Sequence, residues 1–187
     1  ERREEVEERL TEMANTLSHV SEILTLQRQY TAEGGLHGER GLDLRRVIDD
    51  AVEMQRASFS TRGIRVQRAY PEQPVTIRGD RTKLVRVVMN LLRNSAEAFD
   101  RLEDRPREDR FLSVTIEEDK TQVTAVVRDN GPGLPENSGS SKGEFGGLGL
   151  KGVTDILAAH GGGVTMEPAE GGGVEVRLWL PRRKEHT

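Results

Sequence analysis

Two asparagines four residues apart, Asn90 and Asn94, sit in a stretch that is otherwise largely apolar. On a helix this spacing puts both amides on one face, one turn apart. An amide oxygen is a neutral ligand for a hard cation such as Mg²⁺, which keeps several waters and is usually shared with substrate phosphates. Taken by itself, the pair fits loop capping or a core edge better. Asp129-Asn130-Gly131-Pro132-Gly133 follows directly on a β-branched run. A carboxylate fixed at a strand end can accept a hydrogen bond from an exocyclic amine, and the glycines after it let the backbone approach a flat ring. The same pentapeptide is also ordinary turn chemistry. Gly146-Gly147-Leu148-Gly149-Leu150 then opens a helical pattern, where bare N–H groups and a helix N-terminus favour phosphate.

The elements that must position these residues follow from periodicity. Val6, Leu10, Met13, Leu17, Val20 and Leu24 have the heptad spacing of a narrow seam and predict a long, coiled-coil-like helix over residues 2–31. Residues 33–41 hold four glycines and read as a linker, which divides the chain into 1–32, 33–41 and 42–187. Asp43 caps a predicted helix ending near 61–63, with strands at 64–70 and 75–77. Asp80 opens a helix with a broad apolar face, from Leu84 to Phe99, and this helix carries both asparagines. A hairpin over 111–117 and 123–128 is followed by a glycine-rich loop over 129–149. A helix over 150–159 and strands at 164–167 and 174–180 complete the chain. Strands come in adjacent pairs, so the expected class is α+β, a two-layer sandwich of a mixed β-sheet with helices on one face.

Composition narrows the function. The chain has 187 residues, 34% hydrophobic, 32% charged and only 4% aromatic, which argues against a large aromatic binding platform. Lys plus Arg number 28 against 32 Asp plus Glu, a net charge of -4, so no global electrostatic case exists for nucleic acid. No cysteine is present, which excludes disulfides, thiolate metal sites and cysteine nucleophiles and fits the cytoplasm. No apolar run approaches the ~20 residues of a membrane helix. With no initiator Met, the chain is expected to be an excerpt of a longer protein, with a sensor or membrane segment upstream of Glu1 as one arrangement.

The order of these features resembles the ATP-binding catalytic domain of two-component sensor histidine kinases, within the superfamily of gyrase-type and Hsp90-type ATPases. Asn90-Leu91-Leu92-Arg93-Asn94-Ser95-Ala96 is similar to the N box. Asp129-Asn130-Gly131-Pro132-Gly133-Leu134 is similar to the first glycine box, and Gly147-Leu148-Gly149-Leu150 to the second. Gly79-Asp80, His160-Gly161-Gly162 and the closing strand 174–181 extend the likeness over nearly all of residues 42–181.

The resemblance implies a Bergerat-type fold that binds ATP and Mg²⁺. Asn94 would coordinate the metal, with Asn90 beside it near the phosphates. Asp129 would read the adenine amino group, Gly131 and Gly133 would shape the base pocket, and Gly147 and Gly149, with Leu148 and Leu150, would form the phosphate-side hinge. Residues 135–146 would be the lid, from which Lys142 can meet phosphate. The first helix would be the second helix of the dimerisation hairpin, giving a homodimer. The phosphoacceptor helix would then be absent from this chain, which could not autophosphorylate alone. His19 lies on the outer face of the seam and is followed by Val20, where acceptor motifs carry an acidic residue, so it reads as a surface histidine. Hydrolytic and serine-kinase relatives carry a Glu at the position of Asn90. Its absence points to transfer of the γ-phosphoryl to a histidine, then to a response regulator receiver domain. The alternatives are a degenerate ATP-binding switch and a helix-mediated interaction module.

Overall fold

The computed structural model describes residues 41–102, 106–134 and 148–182. The long helix expected over 2–31, the linker, the lid and Gly147 lie outside the described residues.

Strand β1 (Leu42–Asp43) runs into helix α1 (Leu44–Met54), and a shorter helix, α2 (Arg56–Arg62), follows. The single helix expected from Asp43 to about residue 62 is thus two. The apolar stripe Leu44, Val47, Ile48, Ala51 and Val52 is buried on α1, but its next positions are the polar Gln55 and Ser58. Gln55 leaves the helical conformation at φ -94 and ψ 0, and Gly63 ends α2 in the left-handed region at φ 67.

Strands β2 (Arg65–Ala69) and β3 (Thr76–Ile77) precede helix α3 (Arg81–Ala98). The predicted strand at Val75 starts one residue later, because Val75 is occupied otherwise. Its carbonyl accepts from Leu44 N–H at 2.9 Å and its own N–H donates to Asp43 Oδ1 at 3.2 Å. β1, which periodicity does not reveal, pairs antiparallel with β3.

Strands β4 (Phe111–Glu118) and β5 (Gln122–Asp129) form the expected hairpin. Helix α4 (Leu148–Ala159) begins two residues before the predicted start, and β6 (Gly163–Pro168) and β7 (Val174–Pro181) close the chain. The sheet has the order β2-β4-β5-β7-β6. Only β2 against β4 is parallel, which makes the sheet mixed, as expected.

Alternation along the central strands separates two faces. Leu112, Val114 and Ile116 of β4, Val123, Ala125 and Val127 of β5, and Val176, Leu178 and Leu180 of β7 are all buried on one. Helix α3 packs against both α1 and α4 in the layer that covers them. Its buried residues include Leu84, Val88, Leu91, Leu92 and Ala96, the broad apolar stripe read from the sequence. Arg110, also buried, ties the start of β4 to this layer. It donates to the carbonyls of Arg62 and Leu102 at 3.2 and 3.3 Å and lies 5.9 Å over the Phe99 ring.

Candidate functional site

Asp129 is the last residue of β5, is 2% exposed, and is opposite Leu112 in the hairpin register. Its Oδ1 accepts from Gly131 N–H at 2.9 Å and from Val174 N–H at 3.2 Å. The Ser95 hydroxyl of α3 makes a third hydrogen bond to the carboxyl group. Burial pushes this carboxyl above its ordinary value of 3.8, and the bonds from Gly131, Ser95 and Val174 hold part of that rise back. A carboxylate has about four acceptor positions. Three bonds leave it room for one more donor.

The strand end is braced from both sides. Asn130 Oδ1 accepts from Phe111 N–H at 3.0 Å, and Asn130 Nδ2 donates to the Asp109 carbonyl at 2.7 Å. The Arg128 guanidinium donates to the Glu170 carbonyl. Gly131 is buried, and a Cβ there would lie 2.9 Å from Asp129 Oδ1 and 3.8 Å from Ala98 Cβ. A side chain at this point would press on the carboxylate. Gly133 takes φ 83, a conformation that favours glycine.

Gly173 is a required residue that the glycine motifs do not single out. At φ 90, a Cβ on it would fall 2.0 Å from the Asp129 carbonyl oxygen. Its backbone therefore presses directly on the strand end and delivers Val174 N–H to the carboxylate. Ser95 falls within the N-box stretch, but the motif gives it no role. Its signal is a small hydroxyl residue at an inward position of α3, beside Asn94.

On α3, Asn90 is 7% exposed and Asn94 is half-buried. Arg93 donates to Asn90 Oδ1 at 3.0 Å and approaches Glu97 Oε1 at 3.9 Å. Glu97 is exposed. Through Ser95, α3 brings the asparagine turn beside Asp129, so two of the three sequence clusters meet. Of the third, Leu148, Gly149 and Leu150 form the first residues of α4. Gly147 and Lys142 lie outside the described residues, as does His19. Among the described residues no group of three or more His, Asp or Glu side chains could hold a metal ion.

Two further fragments, Gly79-Asp80 and His160, also converge. The His160 Nδ1–H donates to the Ile156 carbonyl at 2.7 Å, which leaves Nε2 to accept from Asp80 N–H at 3.0 Å. A Cβ on Gly79 would lie 2.6 Å from His160 Cδ2. The end of α4 is thereby fastened to the start of α3, where Asp80 Oδ1 caps the helix by accepting from Lys83 N–H at 3.1 Å.

Residues 79–184 match the family of histidine kinase-, DNA gyrase B-, and HSP90-like ATPases, and the chain belongs to that family. It carries a histidine-kinase-type ATP-binding domain. It is 28% identical over 192 residues to the C4-dicarboxylate transport sensor protein DctB of Pseudomonas aeruginosa, covering 96% of this chain and 30% of that protein. It is 27% identical over 150 residues to the sensor histidine kinase ZraS of Escherichia coli, covering 76% of this chain and 31% of that one. The chain thus spans about a third of the length of these relatives. Among solved structures, the mycobacterial sensor histidine kinase MprB is similar at a TM-score of 0.63 and 25% identity, over 78% of this chain and 99% of that one. The catalytic domain of the histidine kinase ThkA shares the fold, at a TM-score of 0.65 and 24% identity, over 78% of this chain and 98% of that one.

Proposed function

We propose that this chain is the catalytic portion of a sensor histidine kinase that binds Mg-ATP and passes the γ-phosphoryl group to a histidine. The observation that carries the reading is the buried Asp129 carboxylate, held by two backbone amides and a hydroxyl beside the turn bearing Asn90 and Asn94. A ligand donor that satisfies this carboxylate and lies flat over Gly131 has the shape and polarity of adenine.

The donor set also fits the implied metal. Asn94 would hold Mg²⁺ through its amide oxygen, with phosphate oxygens and water completing the sphere. When bound, the ion supplies charge neutralisation on the phosphates. The chain's own residues do the rest. Asp129 orients the base, Asn90 lies near the phosphates, and Leu148, Gly149 and Leu150 offer the N-terminus of α4 to negative charge. Lys142, Gly147 and Gly133 belong to the same reading as lid, hinge and base-pocket residues.

In the transfer itself, an imidazole nitrogen bonds to the γ-phosphorus as its bond to the β–γ bridging oxygen breaks, and ADP leaves with that electron pair. A neutral imidazole is already a nucleophile, so the domain contributes positioning and charge stabilisation more than a general base. The absence of a carboxylate at Asn90 suits this acceptor better than water or serine. The acceptor would lie on another helix of the same protein, and a response regulator receiver domain would take the phosphoryl group onward. Residues 1–32 would join two copies as part of the dimerisation hairpin, and His19 would remain outside the chemistry. No helix among the described residues is long and apolar enough to cross a membrane. The domain would work in the cytoplasm, as part of a membrane-bound or a free sensor.

The test is a calorimetric titration with ADP, with and without Mg²⁺, on the intact chain, Asp129→Asn and Asn94→Ala. Binding should fall at least about a hundredfold in Asp129→Asn, the scale of losing a bond to a buried charged group. Asn94→Ala should remove mainly the Mg²⁺-dependent part. A folded intact chain that binds no nucleotide would defeat the kinase reading. With binding in hand, supplying the acceptor helix and following transfer from labelled ATP tests the reaction.

A further inference from the structure

Asn90 and Asn94 lie one turn apart on α3, yet their surroundings differ. Arg93 Nη2 donates to Asn90 Oδ1 at 3.0 Å. A guanidinium has donors only, so this contact also settles which end of the amide is oxygen. At about 100° per residue, Arg93 lies about 60° to one side of Asn90 on the helix and Asn94 about 40° to the other. The oxygen of Asn90 is drawn toward Arg93. With the oxygen engaged, the amide offers its NH₂ group as the donor.

We propose that Arg93 is a positioning residue that acts through Asn90, fixing that amide as a hydrogen-bond donor to a phosphate oxygen of bound nucleotide and leaving cation ligation to Asn94. The inference rests on the nucleotide reading above and deepens it. Asn90 is 7% exposed, so little water is at hand to compensate a turned amide. Glu97, at 3.9 Å from Arg93 Nε and one turn further on, helps keep the guanidinium along the helix. The three residues form a row along α3, Glu97 to Arg93 to Asn90.

Without Arg93 the amide can turn over. A carbonyl oxygen facing a phosphate repels it when no metal is present, whereas with Mg²⁺ present the same oxygen can share the ion. Loss of Arg93 should therefore weaken metal-free nucleotide more than metal-bound nucleotide.

The experiment titrates ADP, with and without Mg²⁺, into the intact chain, Arg93→Ala, Arg93→Lys, Asn90→Ala and the Arg93→Ala/Asn90→Ala double variant, with thermal melts as a folding control. Expected are a loss of about tenfold for Arg93→Ala without Mg²⁺ and a clearly smaller loss with it. Arg93→Lys, which keeps a donor, should recover most of the affinity. In the Asn90→Ala background, removing Arg93 should cost nothing further. An equal loss in that background would mean that Arg93 meets the phosphates itself, which overturns the proposal, as would an unchanged affinity in Arg93→Ala. A folded intact chain that binds no ADP would remove the nucleotide reading and this inference together, an outcome separate from the other two because it precedes any comparison of variants.

Discussion

At the scale of single residues, the site turns on the cost of keeping Asp129 charged inside the protein. Its carboxyl is raised above 3.8 by burial, and the bonds from Gly131, Ser95 and Val174 only partly offset this. A carboxyl raised in the folded state stabilises the fold below its unfolded value, and that contribution is lost as pH rises through the folded value. Asp129→Asn keeps an acceptor oxygen for the Gly131 and Val174 amides but carries no charge. We expect it to be as stable as the intact chain or more so at pH 7, with the difference vanishing below about pH 3.8, while nucleotide affinity collapses. Urea unfolding across that pH range, beside a binding titration, checks both; a less stable variant at pH 7 would show that the charge helps to hold the fold. The strand-end carboxylate was legible in the sequence because Asp-x-Gly-x-Gly follows a β-branched run. Ser95 and Gly173 were not, since their roles depend on which strand and helix come to lie beside Asp129, and that is decided by contacts 34 and 44 residues away in the chain.

At the scale of elements, glycines and caps set where each piece meets the next. Gly173 joins β7 to the end of β5 at a separation that a methyl group would close, with 2.0 Å to the Asp129 carbonyl oxygen. Gly173→Ala should cost ~2–4 kcal/mol by forcing the backbones apart at a left-handed φ. It should also weaken ADP by moving Val174 N–H from the carboxylate; a melt and a titration on the same sample test both. Asp80 and His160 make a second junction. Asp80→Ala should cost about 1 kcal/mol through the lost cap, with His160→Ala loosening α4 from α3. Hydrogen exchange should then show faster opening in the first turn of α3 for both variants, and unchanged rates in His160→Ala would dismiss the junction as incidental. Caps at Asp43 and Asp80 and the hairpin of β4 with β5 could all be read in advance, because each depends on neighbours within a few residues. The break at Gln55, strand β1 and the parallel pairing of β2 with β4 could not. Periodicity carries no information on pairing partners, and a two-residue strand has no period to detect.

At the scale of the molecule, the candidate site and its support belong to one compact unit. The buried residues of β4, β5 and β7 and those of α1, α3 and α4 all lie between residues 42 and 182, and residues 38–187 form one compact unit. Such a unit has its own core and should fold without the preceding segment. In the proposed reading the heptad positions from Val6 to Leu24 serve association, to which a seam of about three heptads is suited, and take no part in reading a base. The two roles should therefore separate cleanly. A chain starting at residue 41 should unfold in one transition and bind ADP within about twofold of the full chain's affinity, a difference well below 1 kcal/mol. Sedimentation equilibrium should find it monomeric at concentrations where the full chain self-associates. If the shortened chain loses affinity while remaining folded, residues 1–40 take part in the site, and the division of labour drawn from the seam is wrong. If both chains sediment as monomers, the proposed hairpin requires a further helix, the one proposed to carry the acceptor histidine. Adding that helix as a peptide should then restore association to the full chain and leave the shortened one unaffected.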